Sequence, residues 1–242
     1  MSFFDSHGGG RPQAYAAALA AAGGSGGCLQ GLPGVPPALL FEAARDLPGL
    51  LPIPAWPGAG APPAATLDAF QALGAAGLHL HPRRCGPAVM QQLPEIFRGA
   101  AARGLAVFFC TYAFAPAGQR LPPDPLPALG EALAAAPTLR LVLLHGGGVD
   151  LLRHAEFTRA NPGVLLDLSF TLMKYAGSSI DLDIAFLART FDQRLCLGSD
   201  FPDYAPADVL ARLDALVPDL PPAKRANIIG DNLRRLLRQG AA

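Results

Sequence analysis

Arg140-Leu141-Val142-Leu143-Leu144-His145 is the run from which the fold class is most plainly read. Four large apolar residues follow one another without the polar alternation of a half-exposed strand. The run therefore reads as a strand of a parallel sheet covered on both faces. It stops at a histidine and three glycines, Gly146-Gly147-Gly148. A stretch with helical spacing, 149–160, separates it from the next apolar run, Val164–Ser169. Strand, polar turn and helix form one unit.

Outward from this stretch the same unit recurs. Strands are expected at Phe3–Ser6, Gly27–Gln30, Leu50–Ala55, Gly77–His81, Ala106–Thr111, Arg140–His145, Val164–Ser169 and Arg194–Ser199. Helices are expected near 12–22, 36–46, 64–74, 87–103, 125–136, 149–160, 179–190 and 205–216, with a last one at 221–238. Pro36, Pro87 and Pro206 suit first helical turns, and Asp150 and Asp181 suit capping regions. Strict β/α alternation implies a parallel sheet with right-handed crossovers. Eight units within 242 residues predict an α/β fold, a single (β/α)8 TIM-like barrel spanning 1–242. A doubly wound nucleotide-binding sheet fits less well, because Gly8-Gly9-Gly10 runs into Pro12 without the G-x-G-x-x-G spacing.

Composition narrows the partners. The chain is 51% apolar, with 19 basic and 19 acidic side chains, so its formal net charge is zero. That balance gives no electrostatic footprint for nucleic acid or an anionic membrane surface. No apolar run reaches membrane-spanning length, and residues 1–7 lack the basic and apolar regions of a signal peptide. Cys28, Cys85, Cys110 and Cys196 make no C-x-x-C pair and no zinc-finger spacing, which points to reduced thiols in a cytoplasmic protein. The expected partners are a small-molecule substrate and, through the outer helices, further copies of the chain in a homo-oligomer.

In a barrel, catalytic groups project from the C-terminal strand ends. Those ends carry Asp5-Ser6-His7, Gln30, Trp56, His79-Leu80-His81-Pro82-Arg83-Arg84, Cys110-Thr111-Tyr112, His145, Asp167-Leu168-Ser169 and Ser199-Asp200. Only His154 of the five histidines falls on a helix instead, a clustering that singles out the strand ends as the site. His79 and His81 alternate and so share a barrel face. His81, nearer the mouth, is the better site candidate, while His79 is expected to hydrogen-bond in the interior. Asp5 and Asp167 read as inward carboxylates that orient neighbours. Asp200 ends an apolar strand and is the strongest catalytic candidate. Arg83 and Arg84 present planar forks suited to a carboxylate, with His81 and Tyr112 beside them as substrate-binding groups. The plainer alternative for the arginines is a solvated or acid-paired surface role.

Taken in order, several motifs resemble the amidohydrolase-2 branch of the amidohydrolase superfamily. They are Phe4-Asp5-Ser6-His7, Gly77-Leu78-His79-Leu80-His81-Pro82, Leu144-His145-Gly146-Gly147, Leu197-Gly198-Ser199-Asp200-Phe201-Pro202 and Ile229-Gly230-Asp231-Asn232-Leu233-Arg234-Arg235-Leu236. The resemblance implies a distorted (β/α)8 barrel that hydrolyses C–N, C–O or C–C bonds or decarboxylates aromatic acids. It also implies a divalent metal, often zinc, on an H-x-H pair of strand 1, a His of strand 5 and an Asp of strand 8, with a strand-6 His near the substrate. His7 matches the first His of the pair, His145 the strand-6 His and Asp200 the strand-8 Asp. Gly9 stands where the second His of the pair would be, and Cys110 takes the strand-5 position, where a thiolate is an atypical ligand.

The metal set implied is therefore His7, Asp200 and either Cys110 or His145, holding one zinc or manganese ion, with a metal-free route also open. Asp200 is expected to act as general base toward water, and His145 as electrophile or oxyanion donor. The function implied is a hydrolase (lactonase, esterase or amidase) for a small carboxylated molecule, or a decarboxylase. A catalytically reduced barrel that binds or regulates is the alternative that the missing ligand leaves open.

Overall fold

The computed structural model describes residues 2–114 and 124–238. Residues 1, 115–123 and 239–242, which include both ends of the expected domain, lie outside the described residues. Eight parallel strands run β1 Phe4–Gly8, β2 Gly26–Gln30, β3 Leu50–Ile53, β4 Gly77–Leu80, β5 Ala106–Cys110, β6 Leu141–Leu144, β7 Val164–Asp167 and β8 Leu195–Cys196. The ladders join β1-β2-β3 and β4 through β8 in sequence order. Backbone bonds span both remaining seams. At one, His79 N donates to the Pro54 carbonyl and Trp56 N to the His79 carbonyl, each at 2.8 Å. At the other, Asp200 N donates to His7 O at 2.7 Å and Gly9 N to Phe201 O at 2.8 Å. The result is a (β/α)8 barrel.

Two strands are shorter than the sequence implies. β3 ends at Ile53, where Pro52 and Pro54 lack the N–H that a ladder needs. β8 keeps two ladder residues, and 197–200 continue along β1 through the seam bonds.

Helices follow the strands as α1 Pro12–Ala21, α2 Pro37–Ala44, α3 Pro63–Ala72, α4 Leu93–Ala102, α5 Pro125–Ala134, α6 Leu151–Ala160, α7 Ile180–Thr190 and α8 Pro206–Leu216. Proline occupies the first turn in most of them, where its missing N–H costs no helical bond and its fixed φ favours entry. The expected helix 87–103 is divided into a 3-10 segment, Pro87–Gln92, and α4, because Pro94 belongs to a helix start. Asp124 caps α5 by accepting from Leu126 N at 3.2 Å. Asp150 stands at the cap of α6 without a side-chain bond. The expected 221–238 helix is broken into Pro222–Ala226 and Asn232–Arg238 by a π-type turn, Asn227–Asp231. Among the described residues no helix is long and apolar enough to cross a membrane.

Successive strand residues face opposite sides, and two apolar layers result. Phe4, Cys28, Ile53, Phe108, Val142 and Leu165 fill the barrel, with Leu233 and Leu236 of the last helix among them. That helix is tied below the strands, where Arg140 donates to the carbonyls of Leu236 and Leu237 at 2.7 and 2.9 Å. Leu78, Val107, Phe109, Leu141 and Leu166 point the other way, into the layer shared with the helices. The apolar fill ends at the C-terminal strand ends, where the polar residues begin.

Candidate active site

Three strand ends bring His7, His145 and Asp200 together: one ligand-capable atom from each lies within 4.8 Å of the others. Local backbone makes this possible. On β1, Asp5 pairs with Gly27 and Gly8 with Leu29, so β1 carries one residue more than β2 across the interval. Ser6 points inward and hydrogen-bonds Asp167, so strict alternation would turn His7 away from the mouth. The bulge returns it. Asp5 fixes this corner by accepting from His7 N and Ser199 N, both at 2.9 Å.

Backbone strain marks the other two. The positive-φ residues other than glycine, among those described, are His145 (66°), Phe170 (60°) and Asp200 (57°). All three line one cavity of about 490 Å³ at the mouth. Such conformations cost about 1–3 kcal/mol each and persist where surrounding structure enforces them. Their collection around one cavity singles that cavity out as the candidate site.

His7, His81, His145, Asp200, Arg83, Arg84 and Tyr112 all line it, together with His79, Gly8, Gly9 and Gly10. Cys110 does not. Its thiol borders a small neighbouring recess with Phe109, Tyr112 and Pro125, and burial pushes it up to about 11. It is also outside the three-residue cluster. Trp56 is sealed in the core.

The histidines divide into two kinds. His7 Nδ1 lies 2.7 Å from Asp200 Oδ1 but without hydrogen-bond geometry, which leaves a buried nitrogen facing a carboxylate oxygen. Burial opposes a charge on His7, yet Asp200, with Asp167 and Asp5 behind it, outweighs burial and raises its pKa. Burial equally opposes ionisation of Asp200, and His7 above all overcomes it, holding that carboxyl well below its ordinary range. His79, His81 and His145 are the second kind. Burial, reinforced by neighbouring cationic groups, lowers them to about 3, about 2 and about 4, so all three are neutral. His79 Nδ1 is 3.1 Å from the Gly31 carbonyl, while His79 Nε2 and His81 Nδ1 are buried without partners.

Beside them, Arg83 lies 4.9 Å over the Tyr112 ring and donates to Phe114 O at 3.2 Å. Among the described residues neither Arg83 nor Arg84 forms an ion pair with a carboxylate. Tyr112 and Phe170 meet edge to face, 5.1 Å between centroids, and give the cavity an aromatic wall.

Beneath the mouth, Asp167 accepts from the hydroxyls of Ser6 and Ser169 and from the backbone N–H groups of His145 and Ser169, the latter two at 3.1 Å. Ser169 Oγ in turn sits 3.2 Å from His145 Nδ1. From the sequence Asp167 reads as an orienting carboxylate, whereas Ser169 carries no assigned role. The available signal was a serine two residues beyond a buried strand-end aspartate.

Nitrogen, nitrogen and carboxylate donors suit zinc or manganese, and three protein ligands leave a position open, as in catalytic sites. The buried, unpartnered His7 nitrogen beside the Asp200 oxygen fits a shared cation. His7, His145 and Asp200 therefore fit a divalent metal.

A family profile described as Amidohydrolase matches residues 12–239. No curated protein sequence matches the chain. Among solved structures, an uncharacterised TIM-barrel protein, Bb4693, from Bordetella bronchiseptica superposes with a TM-score of 0.76 at 20% identity, covering 93% of this chain and 82% of that one. The 4-oxalomesaconate hydratase LigJ from Rhodopseudomonas palustris gives 0.64 at 11%, covering 98% and 96%. The TatD homologue YjjV from Escherichia coli gives 0.63 at 16%, covering 99% and 96%. At these identities the likeness establishes the barrel.

Proposed function

The chain belongs to the amidohydrolase family, and from that premise we propose a hydrolase for a small carboxylated lactone, ester or amide, working at the barrel mouth. The observation that carries the reading is the convergence of His7, His145 and Asp200 on a cavity whose strained backbone is confined to its own lining. A divalent metal held by these three residues would polarise the substrate carbonyl and lower the pKa of water. Asp200, held ionised, takes a proton from the attacking water. The carbonyl–heteroatom bond then breaks, and Asp200 returns that proton to the departing oxygen or nitrogen. Arg83 and Arg84 take the substrate carboxylate as charge-assisted partners, and Tyr112 and Phe170 flank the remainder of the molecule. The neutral imidazoles of His79 and His81 leave the arginines as the cations that recognise the anion.

The test is a panel of lactones, esters and amides, each with and without a carboxylate, assayed on protein incubated with zinc or manganese, by proton release for the lactones and esters and by amine release for the amides. Turnover is expected for carboxylated members, with a loss of about 10²–10⁴-fold in Asp200→Asn. Carboxylate binding without turnover of any member would favour the binding-protein alternative.

A further inference from the structure

His145 stands between two incompatible roles. An oxyanion donor needs a proton on the ring nitrogen that faces the substrate, whereas a metal ligand needs a lone pair there. The hydrogen bonds behind the ring decide between them. Asp167 Oδ2 receives two backbone N–H groups, which can only donate, and the Ser169 hydroxyl as well. The single hydroxyl proton of Ser169 is thereby committed to Asp167. An oxygen whose proton goes elsewhere can only accept, so the nitrogen 3.2 Å from it, His145 Nδ1, carries the ring proton.

We infer that Ser169 and Asp167 are positioning residues that hold His145 as its Nδ1–H tautomer and present Nε2 to the cavity as a bare lone pair. His145 is thus an acceptor, suited to ligating a divalent cation and unable to donate to an oxyanion. A neighbouring histidine obeys the same logic. His79 Nδ1 faces the Gly31 carbonyl, which has no proton to give, so His79 also turns a lone pair on Nε2 inward, where it is buried and unpartnered. With the Asp200 carboxylate, these two lone pairs place three acceptors on the cavity floor beside His7, whose charged form Asp200 favours. The three acceptors suit a Lewis-acidic cation, and neither His79 nor His145 can donate to charge developing on a substrate oxygen. Ligating histidines commonly donate their second N–H to such an outer group, which fixes the ring and its tautomer.

The inference concerns the same cavity as the proposed hydrolase but stands whether or not the chain hydrolyses anything. Its test reads no activity. Long-range proton–nitrogen spectra of the imidazoles are recorded on ¹⁵N-labelled, chelator-treated protein near pH 7, then with zinc. Wild type is expected to show a protonated Nδ1 and an unprotonated Nε2 at His145, with Nε2 shifting on zinc addition. Ser169→Ala is expected to mix the two tautomers and weaken zinc binding about 10–100-fold. A protonated Nε2 in metal-free wild type overturns the inference without recourse to any variant. An unchanged tautomer in Ser169→Ala overturns the part assigned to Ser169.

Discussion

Gly9 shows how much a single position decides at this mouth. The family pattern places a second histidine ligand there, and glycine supplies none. Space is not the obstacle: a Cβ at Gly9 would come no nearer than 3.5 Å to Gln30 O and 3.8 Å to Phe201 O. The neighbouring Gly8 is different, since a Cβ there would lie 2.3 Å from the Tyr15 ring. Gly9→His is accordingly expected to bind zinc at least ~10-fold tighter than wild type, because a fourth protein donor joins the set. Competition with a chromogenic chelator measures this, and an unchanged affinity would show that position 9 does not face the metal. The arginines act on the substrate instead. Arg84→Ala is expected to raise KM for a carboxylated substrate about tenfold or more while leaving kcat nearly unchanged, the pattern of lost uniform binding. A fall in kcat with KM unchanged would move Arg84 out of the anchoring role. Polar residues at strand ends made most of the cavity lining legible in the sequence. Cys110 misled because a strand-end position does not reveal whether a side chain reaches the mouth or a recess beside it.

Elements set those directions. The turn Gly146-Gly147-Gly148 joins β6 to α6 with φ of 53°, 78° and 61°, conformations open to glycine and strained for other residues. Gly147 also packs so closely that a Cβ would lie 2.1 Å from the His154 ring. Gly147→Ala is therefore expected to destabilise the fold by about 2 kcal/mol or more and to weaken metal binding through His145. Urea denaturation together with metal titration checks both. A variant as stable and as metal-competent as wild type would mean the turn does not hold His145 in place. The strands themselves were readable because buried parallel strands are continuous apolar runs, as at Leu141–Leu144. The β1 bulge was not, since it arises from pairing against β2 and leaves no local mark. The division of 87–103 was written in the chain by Pro94 and could have been read there.

The molecule as a whole encloses three neutral histidines at one end of its barrel, and this couples stability to pH. For His81 the folded pKa is about 2 against an ordinary value of 6.5. As pH falls through 6.5 the unfolded chain takes up a proton that the folded one refuses. Stability present above pH 6.5 is thus lost progressively toward pH 2. Relative to His81→Gln, wild type is expected to lose about 1.2 kcal/mol between pH 6 and 5, seen by urea unfolding at each pH. Parallel pH curves for the two proteins would show that His81 is not held neutral. The barrel was legible at this scale from eight repeated units, whereas its contents were less so, because bonds such as Ser6 to Asp167 join residues far apart in sequence.

If His7, His145 and Asp200 form one metal-holding catalytic centre, the protein should retain metal through these three side chains. Plasma mass spectrometry reads that retention after loading with zinc or manganese and removal of free ion. Wild type is predicted to retain about one ion per chain, with His7→Ala, His145→Ala and Asp200→Asn each retaining far less. A wild-type protein that retains none, or three variants that retain as much as wild type, would contradict it.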